Sequence, residues 1–496
     1  MSSQMLQSLN TLQSNAAYLK SAINQPSQND ASKLLDTEKY LFRSGVTYED
    51  LAKLSVIHVA GTKGKGSSCA FTESILRKHG FCTGFFSSPH LVSVRERIRI
   101  NGQPISESQF SDYFWRVFKR LKDESEHELD MPTYFKFMTI LMFHVFLEAN
   151  IDVAIIEVGI GGENDCTNIV RNPVCVGITS LAHEHTALLG NTIEEIAFQK
   201  SGIFKPNTMA FTVPQIPRAL RVLEKRASEK KCALHMIPRF EEYNWENLSP
   251  VLNVTNNVQQ QNASLAIQMA MHWMRTRIGG SNLNITSSPI ERGRILRDSF
   301  KNKMNKLSPS RLEIPSNVSM DKIAIGVSSC KWPGRTQILR STVADFYLDG
   351  AHTLESIENC VSWFGPKCVK SKGKKIMIFN IMGNRDPIQL LKPLQSLDFD
   401  RAYFVPNYSG TENMDSVANI TELEEQIIRC KRHAELWGEG SVVSESVYQV
   451  LQDIKNSSEM NSNSSNKTQV LVAGSLRLVG AVLTALDPHL TMSTTF

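Results

Sequence analysis

The sequence contains no run of apolar residues long enough to form a membrane-spanning helix, which needs about 20 mostly apolar residues. Its longest apolar stretch, Phe137 to Leu147, is shorter and carries His144. The sequence therefore predicts no transmembrane segment. At 496 residues, the chain is long enough for about two to four domains with sizeable hydrophobic cores.

Paired cysteines and a strong charge of either sign are also missing. The nine cysteines stand singly between Cys69 and Cys430, without a CxxC pair or metal-ligand spacing, so we interpret them as reduced thiols. The 54 basic and 49 acidic residues leave a net charge of only +5, which does not indicate a nucleic acid partner. With 41% apolar and 21% charged residues, the composition is that of an ordinary globular protein and excludes a wholly disordered chain.

The amino terminus lacks acidic residues. Residues 1–29 contain no Asp or Glu, as in organelle transit peptides, but they also contain no Arg and only one lysine, Lys20. Tyr18, Leu19 and Ile23 instead fit one face of a short helix. We therefore predict an N-terminal helical extension over residues 1–50 and a cytoplasmic location, with a mitochondrial form left open.

Strands and helices alternate over residues 51–322, which predicts an α/β domain with a P-loop-type, mostly parallel, doubly wound sheet. A hairpin with the turn Asn101-Gly102 is expected at one edge. Ligands bind at the carboxyl ends of the strands in such sheets. Four predicted strands end at the segment GTKGKGS, at Ser88, at Glu157 and near His185, so we expect these ends to converge on one catalytic edge.

A second alternating pattern follows a polar stretch. Residues 281–322 are rich in Ser, Asn and Arg and are interpreted as an insertion and linker. Beyond them, short apolar strands at 346–348, 376–381, 401–405 and 470–473 predict a smaller, Rossmann-like α/β domain over residues 323–496.

The segment GTKGKGS, Gly61 to Ser67, is expected to bind phosphate because it follows a strand and opens a helix. Glycines allow backbone N–H groups to turn inward, and Lys65 can reach terminal phosphates. The segment differs from the usual G-x-x-x-x-G-K-[ST] pattern because Gly66 intervenes before Ser67. A tight strand-to-helix turn is the alternative.

Glu157 follows four apolar strand residues, a position suited to an acid that holds Mg²⁺ with its hard oxygen atoms. The alternative is a cap for the next element. Taken singly, Ser88 is typical of a turn, and His185 is typical of a surface loop. Lys200 by itself is typical of a solvated side chain. Asp349, in the segment DGAH, also fits an ordinary turn.

Together, these segments resemble the folylpolyglutamate synthase family, within the ATP-dependent Mur-type amide ligases. The run SSPHLVSVRERIRING is particularly similar to eukaryotic members. The matching segments, in the family's order, are HVAGTKGKGSSCAF, FFSSPHLVSVRERIRINGQPIS, EVGIGGENDCTN, HTALLGNTIEEIAFQKSGIFKP, WPGRTQ, YLDGAHTLES and GSLRLVGAVL.

The resemblance implies a role for each matching residue. The ATP contacts it implies are Gly61, Thr62, Gly64, Lys65, Gly66, Ser67, Asn262, Arg335 and Asp349, the last two from the second domain. The metal ligands it implies are Ser88, Glu157 and His185, with Lys65, His185 and Lys200 as catalytic residues. Lys200 corresponds to a lysine that is carbamylated in several members.

The implied reaction uses ATP, a reduced folate and L-glutamate, with two Mg²⁺ ions and optionally K⁺, in a monomer. ATP phosphorylates the terminal γ-carboxylate of the folate, and the amine of L-glutamate attacks the acyl phosphate, with His185 or Glu184 as candidates for deprotonating that amine. A dihydrofolate synthase or bifunctional enzyme is the nearest alternative, and a nucleotide-dependent switch without ligase activity is another.

Three positions depart from the family pattern. Glu163 replaces an arginine that is common in bacterial relatives, Glu184 replaces an aspartate before His185, and Lys136 replaces a glutamate. A lysine at position 136 suits an anionic glutamate tail, as a hypothesis.

Overall fold

The computed structural model describes residues 3–12, 32–127, 130–245, 247–252, 257–279, 318–368, 373–383, 385–410, 420–459 and 467–496. These residues form two compact units. The first comprises Met1–Ser88 and Arg95–Cys330, and the second comprises Pro89–Val94 and Lys331–Phe496.

The first unit is built on a sheet with eight strands in the described part of the chain, in the order β4-β3-β2-β5-β1-β6-β7-β8. The strands are β1 (Val56–Ala60), β2 (Thr83–Phe86), β3 (Ile98–Ile100), β4 (Gln103–Pro104), β5 (Val153–Glu157), β6 (Cys175–Ile178), β7 (Met209–Thr212) and β8 (Ala233–Met236). All neighbours from β2 to β8 pair in parallel, and β2, β3 and β4 pair antiparallel. The predicted mostly parallel α/β fold is confirmed.

Helices surround this sheet. The α-helices of the first unit are Ser3–Thr11, Ser32–Arg43, Tyr48–Leu51, Lys65–Lys78, Glu107–Asp123, Tyr134–Glu148, Thr186–Leu189, Ile193–Lys200, Pro217–Glu229, Asn257–Gly279 and Met320–Ser328. Short 3₁₀ turns lie at Val94–Arg97, Cys166–Ile169, Ser201–Ile203 and Phe240–Glu242. None of the described helices combines the length and apolarity that crossing a membrane requires.

Local sequence signals explain the main elements. Every residue of β1 and β5 is buried, which accounts for their continuous apolar runs. Ser106 accepts a hydrogen bond from the backbone of Gln109 in a capping box that starts helix Glu107–Asp123. The predicted hairpin is confirmed, and its turn residues Asn101 and Gly102 both have positive φ, at 50° and 80°.

The second unit carries a six-stranded sheet in its described residues, in the order β13-β12-β11-β14-β10-β9. The strands are β9 (Gln337–Arg340), β10 (Ala344–Leu348), β11 (Lys375–Phe379), β12 (Arg401–Phe404), β13 (Ser441–Val443) and β14 (Thr468–Ala473). Only β9 runs antiparallel to its neighbour in this part of the chain. The helices are Leu354–Cys368, Pro387–Gln395, Ile420–Trp437, Val447–Glu459 and Leu476–Leu486.

The end of the first unit differs from the predicted domain boundary, and some predicted elements fall outside the described residues. The first unit continues past the expected boundary at Lys322 to Cys330, because helix Met320–Ser328 packs on helix Lys65–Lys78. Most of the predicted linker lies outside the described residues, as do Tyr18, Leu19 and Ile23 of the predicted short helix.

Candidate active site

Four neighbouring strands bring the predicted site segments to one edge of the first sheet. The order β2-β5-β1-β6 is continuous, and all four strands are parallel. Their carboxyl ends carry Ser88, Glu157, the loop Gly61–Ser67 and the segment with His185, in that spatial order. The predicted convergence of these strand ends is therefore confirmed by the strand pairing.

The loop Gly61–Ser67, here called the phosphate loop, depends on two glycines. Gly61 and Gly64 have φ values of 146° and 89°, which side chains rarely tolerate. A Cβ atom on Gly64 would lie 2.2 Å from Oδ1 of Asn262. The buried Asn262, a predicted ATP contact, therefore lies directly against the loop.

Helix Lys65–Lys78 begins immediately after Gly64, which caps it without a side-chain hydrogen bond. The first N–H groups of a helix have no partner within the helix, and they attract anions together with the helix dipole. Thr62 fixes the other end of the loop, since its N–H and hydroxyl donate to the carbonyl oxygens of Ser180 and Ala182 at 2.9 and 3.1 Å. This geometry suits phosphate binding.

Ser88 and Glu157 meet at the ends of β2 and β5. The N–H of Ser88 donates to Oε2 of Glu157 at 3.0 Å, and Glu157 is buried. A carboxylate and a hydroxyl are the hard oxygen donors that Mg²⁺ accepts, so the donor chemistry fits this metal. Among the described residues, no three His, Cys, Asp or Glu side chains are grouped closely enough to hold a metal by themselves.

Lys200 is buried behind the phosphate loop, contrary to the solvated side chain expected of an isolated lysine. Its Nζ donates a 2.7 Å hydrogen bond to the carbonyl oxygen of Gly61. Burial and the nearby charge of Lys65 lower the pKa of Lys200 to about 7, while Glu184 and Asp165 oppose the shift. An appreciable fraction of this amine is therefore neutral and nucleophilic near neutral pH.

The loop after Glu157 links the end of β5 to the helix end that carries Lys200. This loop, residues 158–165, is called the Glu157 loop. Its N–H at Glu163 donates to the carbonyl oxygen of Gln199 at 2.7 Å. A Cβ on Gly162 would lie 2.6 Å from the carbonyl oxygen of Lys200, so only glycine fits there. The Glu157 loop thus packs directly on the helix end that carries Lys200.

His185 starts helix Thr186–Leu189 with a positive φ of 51°, and its side chain is exposed. Its role as a metal ligand stays a prediction. Glu184 lies close enough to raise the pKa of Lys200, so the carboxylate that replaces the family's aspartate belongs to the same electrostatic neighbourhood.

Arg335 and Asp349 lie together within the second unit. Oδ2 of Asp349 accepts the N–H of Thr336 at 2.8 Å, and burial raises the pKa of Asp349 while Arg335 opposes that shift. His352, in the same segment, has its Nδ1 at 2.7 Å from the carbonyl oxygen of Gly350. The nucleotide roles of Arg335 and Asp349 stay predictions.

Lys136 has a partner already. Its Nζ lies 3.4 Å from Oδ2 of Asp36 and 5.5 Å from the centre of the Tyr40 ring, and the residue is buried. The ammonium therefore binds helix Ser32–Arg43, which does not favour the hypothesis that it receives a glutamate tail.

Sequence reasoning missed a buried polar group at the end of the Glu157 loop. His58, Thr167 and Asp165 are joined by hydrogen bonds in the core of the first unit. The available signal was a histidine within the otherwise apolar strand VIHVA, which is unusual for a fully buried strand.

Comparison with known proteins identifies the family. A family model described as "Dihydrofolate synthetase, C-terminal domain" matches residues 335–485. A mitochondrial folylpolyglutamate synthase of Cricetulus griseus is 44% identical over 439 residues, covering 86% of this chain and 72% of that protein. The folylpolyglutamate synthase of Arabidopsis thaliana is 36% identical, covering 92% of this chain and 82% of that protein.

Solved structures agree on the fold. A Mycobacterium tuberculosis folylpolyglutamate synthase complexed with ADP and AMPPCP superposes with a TM-score of 0.66 at 20% identity, covering 92% of this chain and 99% of that one. Identity at this level supports the fold, and the sequence relatives establish the family. The chain belongs to the folylpolyglutamate synthase family.

Proposed function

We propose that this protein is an ATP-dependent ligase that adds L-glutamate in γ-linkage to tetrahydrofolate and folylpolyglutamates, with ADP and phosphate as by-products. The observation that carries the proposal is the 36–44% identity, over most of the chain, to proteins named for this activity. The arrangement of the phosphate loop, Glu157 and Lys200 at one sheet edge supports it.

ATP binds with its phosphates against the phosphate loop. The N–H groups that open helix Lys65–Lys78 face the phosphate oxygens, and Lys65 neutralises charge on the transferred phosphoryl group. Asn262 supports the loop at Gly64, so it orients the nucleotide site in addition to its predicted contact.

Ser88 and Glu157 would hold Mg²⁺, with His185 as the predicted third ligand and a second ion nearby. When bound, Mg²⁺ neutralises the phosphate charge during phosphoryl transfer. The N–H of Ser88 keeps the Glu157 carboxylate in place at the strand end, since it occupies one carboxylate oxygen.

Lys200 is proposed to be carbamylated. A neutral amine attacks CO₂ at carbon, loses one proton and becomes an N-carboxylate, which adds one negative charge beside the phosphate loop. The pKa of about 7 makes the neutral amine available. The modified nitrogen keeps one hydrogen, so it can still donate to the carbonyl oxygen of Gly61.

The two substrates then react through an acyl phosphate. The γ-carboxylate of the folate takes the phosphoryl group, the α-amine of L-glutamate attacks the activated carbonyl, and phosphate leaves. The amine must be neutral, and Glu184 or His185 is proposed to take its proton. Arg335 and Asp349 are proposed as nucleotide contacts, K⁺ as an optional ion, and the protein as a monomer in the cytoplasm with a mitochondrial form.

The test is phosphate release by purified protein with MgATP and tetrahydrofolate, with and without L-glutamate, while product mass is followed. Release that requires both substrates, with mass increasing by successive glutamyl units, is expected. Release that is independent of glutamate would contradict the proposal and favour a nucleotide-dependent switch.

A dihydrofolate synthase, or a bifunctional enzyme, is the second candidate because the family model that matches residues 335–485 is named for dihydrofolate synthetase. The same assay with dihydropteroate in place of tetrahydrofolate distinguishes the two. Activity only with dihydropteroate would assign the chain to dihydrofolate synthase, and activity with both substrates would indicate a bifunctional enzyme.

A further inference from the structure

We propose that His58, Thr167 and Asp165 form a buried hydrogen-bonded chain that positions the Glu157 loop for metal-dependent ATP binding. The proposal rests on the proposed function, because it concerns the metal ligand Glu157. His58 lies in β1, the strand that leads into the phosphate loop, and Thr167 and Asp165 lie beyond Glu157 in sequence. The chain therefore joins the two segments that must act together on ATP and its metal.

The hydrogen bonds from His58 through Thr167 to Asp165 are continuous. Nε2 of His58 lies 2.8 Å from Oγ1 of Thr167, and that hydroxyl donates to Oδ1 of Asp165 at 2.5 Å. Asp165 also accepts the N–H of Thr167 at 3.0 Å through Oδ1, and the N–H of Ile160 at 2.9 Å through Oδ2. Asp165 thus fixes the backbone three residues after Glu157.

The direction of each bond follows from the number of hydrogens. The hydroxyl of Thr167 has one hydrogen, which it gives to Asp165, so His58 must carry its proton on Nε2 and donate. Burial lowers the pKa of His58 to about 3, so the ring is neutral at physiological pH. The arrangement is a one-way chain from β1 to the Glu157 loop.

The chain carries an energetic cost that an apolar core would avoid. His58 and Thr167 are fully buried, and Nδ1 of His58 has no hydrogen-bond partner among the described residues. A buried acceptor without a hydrogen-bond partner destabilises the folded state. An apolar residue at position 58 would avoid that cost, so the histidine is expected to serve a purpose other than stability.

The Glu157 loop is the element that these hydrogen bonds hold in place. It directly follows Glu157, the proposed metal ligand, and its far half packs on the backbone of Gln199 and Lys200. Holding Ile160 through Asp165 therefore restrains both ends of the loop. Loss of this hydrogen-bonded chain should weaken the metal site more than the phosphate loop. The phosphate loop has its own hydrogen bonds to Ser180 and Ala182.

Thr167→Val tests the proposal because it conserves side-chain shape and removes the hydroxyl. The measurement is calorimetric binding of a non-hydrolysable ATP analogue, first in EDTA and then over a series of Mg²⁺ concentrations. We expect unchanged affinity in EDTA and an approximately tenfold increase in the Mg²⁺ concentration that half-maximally tightens binding, as for other groups that orient a metal ligand. Thr167→Ser keeps the hydroxyl and should behave like the wild type.

Thr208→Val is the matched control. This buried threonine precedes β7 and donates to the carbonyl oxygen of Pro173 at 3.4 Å, at the amino ends of β6 and β7, so its substitution should lower thermal stability without changing the Mg²⁺ requirement. If Thr167→Val does not fold, His58→Met removes the donor at the other end and should raise the Mg²⁺ requirement in the same direction.

A folded Thr167→Val protein with the wild-type Mg²⁺ requirement would overturn the proposal. Failure of both Thr167→Val and His58→Met to fold would also overturn it, since the chain would then be a folding determinant. Absence of analogue binding by the wild type would instead contradict the proposed function, so the two failures are distinguishable.

Discussion

The side-chain nitrogen of Lys200 donates a 2.7 Å hydrogen bond to the carbonyl oxygen of Gly61. Gly61 begins the phosphate loop, and Lys200 ends helix Ile193–Lys200, so the bond joins two segments that are 139 residues apart. Because Lys200 is buried, a change in its charge acts on the phosphate loop through little intervening water. The modification state of Lys200 and the binding of ATP are therefore expected to be coupled.

Lys200→Ala should abolish glutamate-dependent phosphate release, and short-chain carboxylic acids should restore part of it by supplying the missing carboxylate. In the wild type, activity should fall as pH decreases through about 7, because protonation removes the neutral amine that CO₂ requires. Adding bicarbonate should shift that decline to lower pH. Absence of both rescue and bicarbonate dependence would contradict carbamylation.

Lys65→Ala should reduce turnover of ATP by about 10²–10³-fold, because it removes one group that stabilises charge on the transferred phosphoryl group. The fold should be unchanged, as circular dichroism and thermal unfolding would verify. Lys78→Ala, at the exposed far end of the same helix, is the matched control and should leave turnover unchanged. Normal turnover in Lys65→Ala would refute the phosphate-loop assignment.

Gly64→Ala should impair ATP binding and stability together. Its positive φ of 89° costs an alanine about 1–2 kcal/mol, and the new Cβ would also displace Asn262, only 2.2 Å away. Gly80→Ala isolates the backbone cost of a positive φ, since Gly80 has a φ of 95° and no atom lies within 4 Å of its Cβ position. We expect both variants to lose stability in denaturant titrations and only Gly64→Ala to lose ATP affinity. Equal ATP affinities would show that Asn262 does not support the loop.

Asp130→Asn should destabilise the packing of helix Ser32–Arg43. The buried carboxylate of Asp130 accepts hydrogen bonds from Lys39 and Tyr40 at 2.8 and 3.0 Å and also pairs with Arg43. Loss of these charged interactions should cost about 2–3 kcal/mol in the free energy of unfolding. Glu126→Gln, which changes an exposed partner of Arg43, is the control and should cost little.

The stability difference between the wild type and Asp130→Asn should depend on pH with a definite sign. Burial alone would raise the pKa of Asp130, but hydrogen bonds from Lys39 and Arg43 hold it below its ordinary value of 3.8. A carboxyl whose pKa is lowered by folding contributes stability above the unfolded-state pKa and loses it as pH falls. The advantage of the wild type over Asp130→Asn should therefore be full at neutral pH and shrink below about pH 4. A difference that is constant with pH would contradict the ion-pair explanation.

Strands of the first sheet were readable where they are short runs rich in β-branched residues that lead into a glycine or end in an acid. Val56–Ala60 and Val153–Glu157 are examples, and the parallel order followed from their alternation with helices. β8 (Ala233–Met236) was missed because its residues are partly exposed, which leaves no strong apolar pattern. The domain boundary predicted after Lys322 differs from the end of the first unit at Cys330, because contact between helices, rather than composition, determines where that unit ends.

Side-chain environments were less readable than positions. The pattern around Lys200 carries no mark of burial, since a lysine at the end of an amphipathic helix is usually solvated. Its pKa depends first on burial and then on the charges of Lys65 and Glu184, neither of which is near it in sequence. Lys136 likewise gave no sign that Asp36, 100 residues earlier, neutralises it.

The sequence by itself determined the local elements, the family and the residues available for chemistry, because periodicity, turn residues and motif order are properties of neighbouring positions. Only the tertiary structure decided that Glu157 meets the N–H of Ser88, that Lys200 reaches Gly61, and that His58 connects through Thr167 to Asp165. These pairings join distant segments, and burial and hydrogen bonding act through space. The reactivity of each site residue is therefore a property of the folded chain.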